Sequence, residues 1–226
     1  MRPLPRLLAF VDDRIGALDD LGVRAAAVAA AGPAAGLVAR LPRGSTDRLA
    51  ALAQRFVALA APPMASVFVT GRADLALAVG AHGVILRNGD LDVATVRALL
   101  HGEHREGSAR PVAIPRFIRD DTRIFRSVHT VTEAELAVAE GADALIVGSI
   151  WPSASHPDRA PAGTGLLSDV VSLGLPTYAI GGVTVARATE AHAAGAWGVA
   201  AITAVWDVAE PYQAAMAMVR PWIGAS

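Results

Sequence analysis

The sequence contains no cysteine. That absence excludes a disulfide framework, a thiolate nucleophile and a cysteine metal site, and it is compatible with a reducing cytoplasm, the expected location. Neither sign of charge dominates: 20 Lys and Arg stand against 21 Asp and Glu, a formal net charge of −1. Such a chain offers no broad electrostatic footprint for nucleic acid, although a small anion site needs only a few donors. A phosphate-bearing metabolite is the more natural ligand. Long apolar runs are missing as well. Residues 23–39 are rich in Ala and Val, but Arg24, Gly32, Pro33 and Gly36 interrupt them short of the ~20 clean apolar residues of a membrane span. The basic and apolar N-terminus meets Asp12 and Asp13 too soon for a signal peptide, so no membrane association is expected.

What is present is apolar. With 53% hydrophobic and 18% charged residues among 226, the chain can bury one large core, and a single domain over residues 1–226 is expected. Short aliphatic or β-branched runs alternate with Ala- and Leu-rich stretches, and Gly, Pro or Asp punctuates the joints. Strands are predicted near 7–11, 37–41, 66–69, 83–86, 124–128, 144–148, 177–180 and 198–202. Helices fit after each, near 14–31, 45–60, 72–79, 92–101, 131–140, 164–173, 184–194 and 209–220. Parallel strands each followed by a helix, eight times over, close into a (β/α)8 TIM barrel of the α/β class.

Three segments repeat one design: 74–84, 135–145 and 190–199 each read as a helix ended by Gly-Ala and leading straight into a strand. Glycine there supplies a left-handed cap. The repeat speaks for the fold and is silent about function. One segment departs from the pattern. Residues 101–123 are too long for an ordinary joint between helix and strand, and they enter the fifth strand from the stability face. The insertion is expected to be an ornament or a contact in a homo-oligomer. Its His101, Glu103 and His104 read as solvated loop, because no further ligand or rigid spacing accompanies them.

In a parallel barrel, chemistry belongs at the strand-to-helix junctions. Phe125-Arg-Ser-Val-His-Thr130 places His129 at such a junction with Ser127 two residues earlier. Histidine there suits a general acid or base; the competing reading is a structural cap of the fifth helix, although Thr130 and Thr132 are good caps already. Ala179-Ile-Gly-Gly-Val183 and Ala201-Ile-Thr203 end the seventh and eighth strands, a common phosphate site in barrels. Backbone N–H groups near Gly181, Gly182, Ile202 and Thr203 are expected to hold a phosphate; a tight turn is the plainer alternative. The loop after the sixth strand, 148–165, is long and hydroxyl-rich, and reads as a lid with Ser153 and Ser155 spaced to donate to one anion. In the second strand, alternation puts Val38, Arg40 and Pro42 on one face. An arginine inside an apolar strand demands an anionic partner, either a ligand phosphate or a carboxylate such as Asp12 or Asp13.

These segments, from Arg6 to about Trp222, together resemble the thiamine phosphate synthase and TenI superfamily. The carriers are Thr70-Gly-Arg-Ala-Asp74 onward, Ser127-Val-His-Thr130, the loop Gly148-Ser-Ile-Trp-Pro-Ser-Ala-Ser-His156, and the Gly181-Gly182 and Ile202-Thr203 pairs. The resemblance implies that thiamine phosphate synthases join a pyrimidine pyrophosphate to a thiazole phosphate, with a Gln-x-Arg-x-Lys face for the pyrophosphate and two aspartates for Mg²⁺. Only Arg40 of that face remains here; Gly71 and Thr70 take the first metal aspartate and its neighbouring asparagine, and His156 takes the lid lysine. Asp90 alone matches a metal position, and it would hold Mg²⁺ only in a synthase. A single carboxylate is poor provision for that ion.

The TenI branch, with glycine beside the arginine and Ser-Val-His, matches more closely. It implies a thiazole tautomerase that needs no metal or other cofactor. On that expectation His129 moves the proton, Arg40 steadies a carboxylate, and Thr70, Ser127, Ser153, Ser155, Gly181, Gly182, Ile202 and Thr203 bind a phosphorylated heterocycle. Three alternatives stand beside it: a synthase with a degenerate Mg²⁺ and pyrophosphate site, a non-catalytic or regulatory protein that binds a phosphorylated ligand, and a barrel isomerase for another phosphorylated metabolite, since fold alone does not select substrate.

Overall fold

Backbone pairing runs in strict chain order: β1 (Leu7–Phe10), β2 (Ala35–Ala39), β3 (Ser66–Thr70), β4 (Gly83–Leu86), β5 (Arg123–Val128), β6 (Ala144–Gly148), β7 (Thr177–Ile180) and β8 (Gly198–Ala201) are parallel, and β8 pairs back onto β1. The sheet is therefore a closed barrel without edges. The structure is a computed structural model and describes residues 3–60, 65–100, 122–153 and 160–224. Among these residues the helices are α1 (Leu21–Ala29), α2 (Thr46–Leu59), α3 (Ala73–Val79), α4 (Val93–Leu100), α5 (Val131–Ala139), α6 (Gly163–Val171), α7 (Val185–Ala193), α8 (Thr203–Trp206) and α9 (Pro211–Ile223). None is long and apolar enough to cross a membrane.

Two cores follow from strand alternation. Outward-facing residues such as Leu37, Val67, Val84, Ile124 and Val147 pack with the helices into one large cluster. Inward-facing residues, among them Leu8, Phe10, Val38, Phe68, Ile85, Phe125, Ile146 and Tyr178, fill the barrel itself. Phe68, Phe125 and Tyr178 form a row, with ring centroids 4.8 Å and 5.6 Å apart. Glycines make room for it. A Cβ built on Gly198 would lie 2.3 Å from the Arg6 carbonyl oxygen and 2.8 Å from the Tyr178 ring. The Tyr178 hydroxyl donates to the Pro5 carbonyl (2.6 Å), and the Arg6 guanidinium lies over the Trp197 ring, 3.6 Å from its centroid. These contacts close the end of the barrel at which the strands begin.

Three elements differ from the sequence expectation. β2 begins at Ala35 and ends at Ala39, so Arg40 stands just beyond it in a loop. The expected first helix is split: a 3-10 turn at Ile15–Ala17 forms where Asp12 Oδ1 accepts the Ile15 N–H (2.9 Å), and α1 starts only at Leu21. The short α8 follows β8 at once, and its Trp206 Nε1 donates to the Phe10 carbonyl (2.7 Å), tying the last strand to the first. Of the insertion at 101–123, residues 101–121, with His101, Glu103 and His104, lie outside the described residues, and Arg123 already belongs to β5.

Candidate functional site

Continuing the inward alternation past the strand ends predicts what lines the mouth of the barrel: Val38 leads to Arg40, Phe68 to Thr70, and Ile85 to Arg87. The structure brings these three into one cleft of about 280 Å³ at the ends of β2, β3 and β4. Three guanidiniums, of Arg40, Arg72 and Arg87, line it against one carboxylate, Asp90. Ser45 and Thr46 at the start of α2 add hydroxyls.

Arg40 is half-buried and makes no ion pair among the described residues. Burial, reinforced by the charge of Arg87, lowers its pKa from the ordinary value, and the charges of Asp12 and Asp13 oppose the shift. Those carboxylates are engaged elsewhere: Asp12 holds the Ile15 N–H, and Asp13 accepts the Arg43 N–H at 3.1 Å. The suggested Arg40 carboxylate pair therefore does not form. Thr70 is 6% exposed, and its Oγ1 has no hydrogen-bond partner among the described residues. A buried hydroxyl without a partner is costly unless a ligand completes it.

Arg87 and Asp90 form the other wall. Asp90 Oδ2 accepts from the Arg87 backbone N–H (2.7 Å) and Nε (3.2 Å), while Oδ1 accepts from Nη2 (3.2 Å). Gly71 faces this pair in a left-handed conformation (φ 73°), and a Cβ there would meet Arg87 Nη2 at 2.9 Å and both Asp90 oxygens at 3.2 Å. A guanidinium thus fills the space between Asp90 and the position where the resemblance puts the first metal carboxylate. Mg²⁺ does not fit these residues: the one carboxylate has both oxygens engaged by a cation, and no group of three His, Asp or Glu suited to a metal exists among the described residues. Arg72, by contrast, is matched, with Nη2 2.6 Å from Asp74 Oδ2 and Nη1 donating to Thr46 Oγ1 (2.9 Å).

The remaining predicted residues among those described belong to β5 and to the chain after β5, β6, β7 and β8, and do not line this cleft. Ser127 lies on β5 two residues past the inward Phe125, and His129 follows the strand. The His129 ring bonds through Nδ1 to the Gly148 carbonyl at the end of β6. A carbonyl only accepts, so in the neutral ring Nδ1 carries the proton and Nε2 is left as an acceptor. The ring is not the cap of α5. Thr130 Oγ1 accepts the Glu133 N–H (3.1 Å), and Glu133 Oε2 accepts the His129 backbone N–H (2.6 Å), close to a capping box. Burial raises the Glu133 pKa, but hydrogen bonds from His129 N–H and Asn88, with the charges of His129 and Arg126, outweigh it and hold the group below the usual 4.5.

The loop after β6 packs on the loop after β7. Trp151 N–H donates to the Gly181 carbonyl (3.2 Å), and its Nε1 reaches Glu190 (3.2 Å). Cβ atoms at Gly181 and Gly182 would lie 2.6 Å from Ser149 and 2.2 Å from the Pro152 carbonyl, so both glycines serve close approach as well as positive φ. Among the described residues the N–H groups of Gly182, Ile202 and Thr203 meet no acceptor. Ser153 is half-buried in the first of these loops, and Ser155 and His156 lie outside the described residues. Arg87 escaped the sequence reading, although its signal was there: it stands two residues past inward-facing Ile85, as Arg40 does past Val38.

The family model described as thiamine monophosphate synthase matches residues 8–110 and 102–205. A thiamine-phosphate synthase of Salinispora arenicola is 36% identical over 97% of this chain and 98% of its own length. One from Methanospirillum hungatei is 38% identical over 72% of this chain and 71% of its own. The solved structure of a thiamine phosphate pyrophosphorylase from Pyrococcus furiosus superimposes with a TM-score of 0.75 at 26% identity, covering 96% and 94% of the two chains. These names correct the expected tautomerase: the two relatives are called synthases and the solved structure a pyrophosphorylase, and none of the three is called an isomerase. The expectation equated a lost metal carboxylate with lost diphosphate chemistry, whereas the space beside Asp90 holds a second cation, Arg87. The chain belongs to the thiamine monophosphate synthase family.

Proposed function

We propose that the protein is a thiamine-phosphate synthase, a transferase that joins a pyrimidine diphosphate to a thiazole phosphate. The observation that carries the reading is its similarity over nearly its full length to a protein of that name. The geometry supports it. The thiazole ring nitrogen gives its lone pair to form the new bond to the pyrimidine-bearing carbon as the bond from that carbon to the diphosphate breaks, and the diphosphate oxygen leaves with that bond's electron pair; preorganised cations at that oxygen stabilise the developing charge. The Arg40 and Arg87 cleft supplies them. The N–H groups of Gly182, Ile202 and Thr203, which meet no acceptor among the described residues, take the phosphate of the second substrate beside Gly181, with Ser153 in the adjoining loop. On this reading Ser127, on β5, and the Nε2 acceptor of His129 meet the substrate ring. Purified protein incubated with both halves should release inorganic pyrophosphate as the coupled product appears. No coupled product at saturating substrates, with or without Mg²⁺, would sink the reading.

A further inference from the structure

We infer that the cleft at the ends of β2, β3 and β4 binds diphosphate directly through the guanidiniums of Arg87 and Arg40 and the Thr70 hydroxyl, in the place a divalent cation would otherwise take. The inference rests on the synthase reading for its biological ligand, but it concerns a binding site that can be measured alone.

Four observations converge on it. The carboxylate that would hold a metal is committed: both Asp90 oxygens accept from Arg87, and Asp90 is only 14% exposed. A divalent cation there would have to displace the guanidinium and stand beside its positive charge, a repulsion that grows in a half-buried cleft. The opposite wall at Gly71 provides no second carboxylate, and Arg87 Nη2 fills the space a side chain would need. Meanwhile Arg87 is held rather than consumed by Asp90: its side chain is 46% exposed, and Nη1 donates to no acceptor among the described residues. Fixing one edge of a guanidinium with a carboxylate leaves the other edge preorganised for phosphate oxygens.

Arg40 and Thr70 complete the site. Arg40 lines the same cleft with no ion-pair partner among the described residues, and Thr70 Oγ1 is buried there without a hydrogen bond. Two guanidiniums that line one cleft, with the buried Thr70 hydroxyl between their strands and no carboxylate paired to Arg40 among the described residues, are explained by an anion held there. The choice of cation is uniform through the chain, which contains no lysine: all 20 of its basic residues are arginine. Arginine suits this task because its planar fork binds phosphate oxygens in pairs and keeps its charge when partly buried.

The test is calorimetric titration of the full chain with inorganic pyrophosphate in excess EDTA. Binding is expected without metal, and Arg87→Gln should weaken it about tenfold or more, the loss of a charge-assisted hydrogen bond. Because Arg87→Gln strands a half-buried carboxylate, the double variant Arg87→Gln/Asp90→Asn, and separately Arg40→Gln, should show the same loss with an unchanged melting temperature. Pyrophosphate that binds only when Mg²⁺ is added, or that binds the Arg87 variants as well as the parent, overturns the inference while leaving the synthase reading intact. Metal-free binding by a protein that never couples the two substrates has the opposite meaning: it sinks the synthase reading and leaves this site standing.

Discussion

Thr70 and Arg40 share a condition that a folded chain tolerates only for a reason: each turns a polar group into the barrel mouth with no protein partner to satisfy it among the described residues. A ligand anion answers both. Replacing Arg40 with Gln should therefore lower kcat/KM for coupling by roughly 10- to 100-fold, the range of a hydrogen bond to a charged group, with little change in thermal stability. Equal kcat/KM in steady-state assays would remove Arg40 from the site. His129 poses the complementary question, because its Nδ1 already serves the Gly148 carbonyl. Asn can keep a donor near that carbonyl but cannot offer the Nε2 acceptor. His129→Asn should cost roughly 10²-fold in kcat/KM if Nε2 meets the substrate, the low end of acid/base and polar contributions. A lowered melting temperature with unaltered kinetics would assign the ring to structure alone.

At the level of elements, the ends of β4 and β5 and the start of α5 are joined by a short chain of polar contacts running from Asn88 through Glu133 to the His129 backbone, and the His129 ring extends it to the end of β6. Glu133 is held below its usual 4.5 in the fold, so its contribution is present above that value and is lost as pH falls through the lower, folded pKa. Stability measured by urea unfolding should accordingly decline on acidification below about 4.5, and Glu133→Gln should flatten the decline. A slope identical to the parent's would show that other carboxylates carry it. Thr130→Ala removes the cap itself and should cost about 1 kcal/mol. The strands set a different limit. Gly198 has the Arg6 carbonyl where a methyl group would go, so Gly198→Ala must move backbone and should destabilise the barrel by roughly 2 kcal/mol or more. Unchanged unfolding free energy would mean that the barrel floor gives way more easily than close packing implies.

For the whole molecule, closure depends on joining β8 to β1. Trp206 is buried to 1% exposure in the large outer core, and its indole N–H ends on the β1 carbonyl of Phe10. Truncating it leaves a large cavity and an orphaned carbonyl at the seam. Trp206→Ala should lose roughly 3–5 kcal/mol, about 6–20 °C in Tm for a chain of this size, by calorimetry.

Sequence by itself determined the architecture. Strands that are apolar on both faces and helices punctuated by Gly-Ala admit little but a parallel, helix-covered sheet, and all eight strands fall within two residues of where alternation puts them. It also determined which positions turn into the mouth, because a period of two carries from Val38 to Arg40 and from Phe68 to Thr70. What it left open was which cations and carboxylates meet there. Arg87 and Asp90 are three residues apart, yet only the Asn-Gly turn between them, with Gly89 at φ 88°, folds the guanidinium back onto the carboxylate. Gly71 comes to the same spot from another strand. A missing aspartate reads in sequence as a missing charge, but electrostatics acts through space, and the tertiary structure decided that a neighbouring strand's arginine occupies the gap.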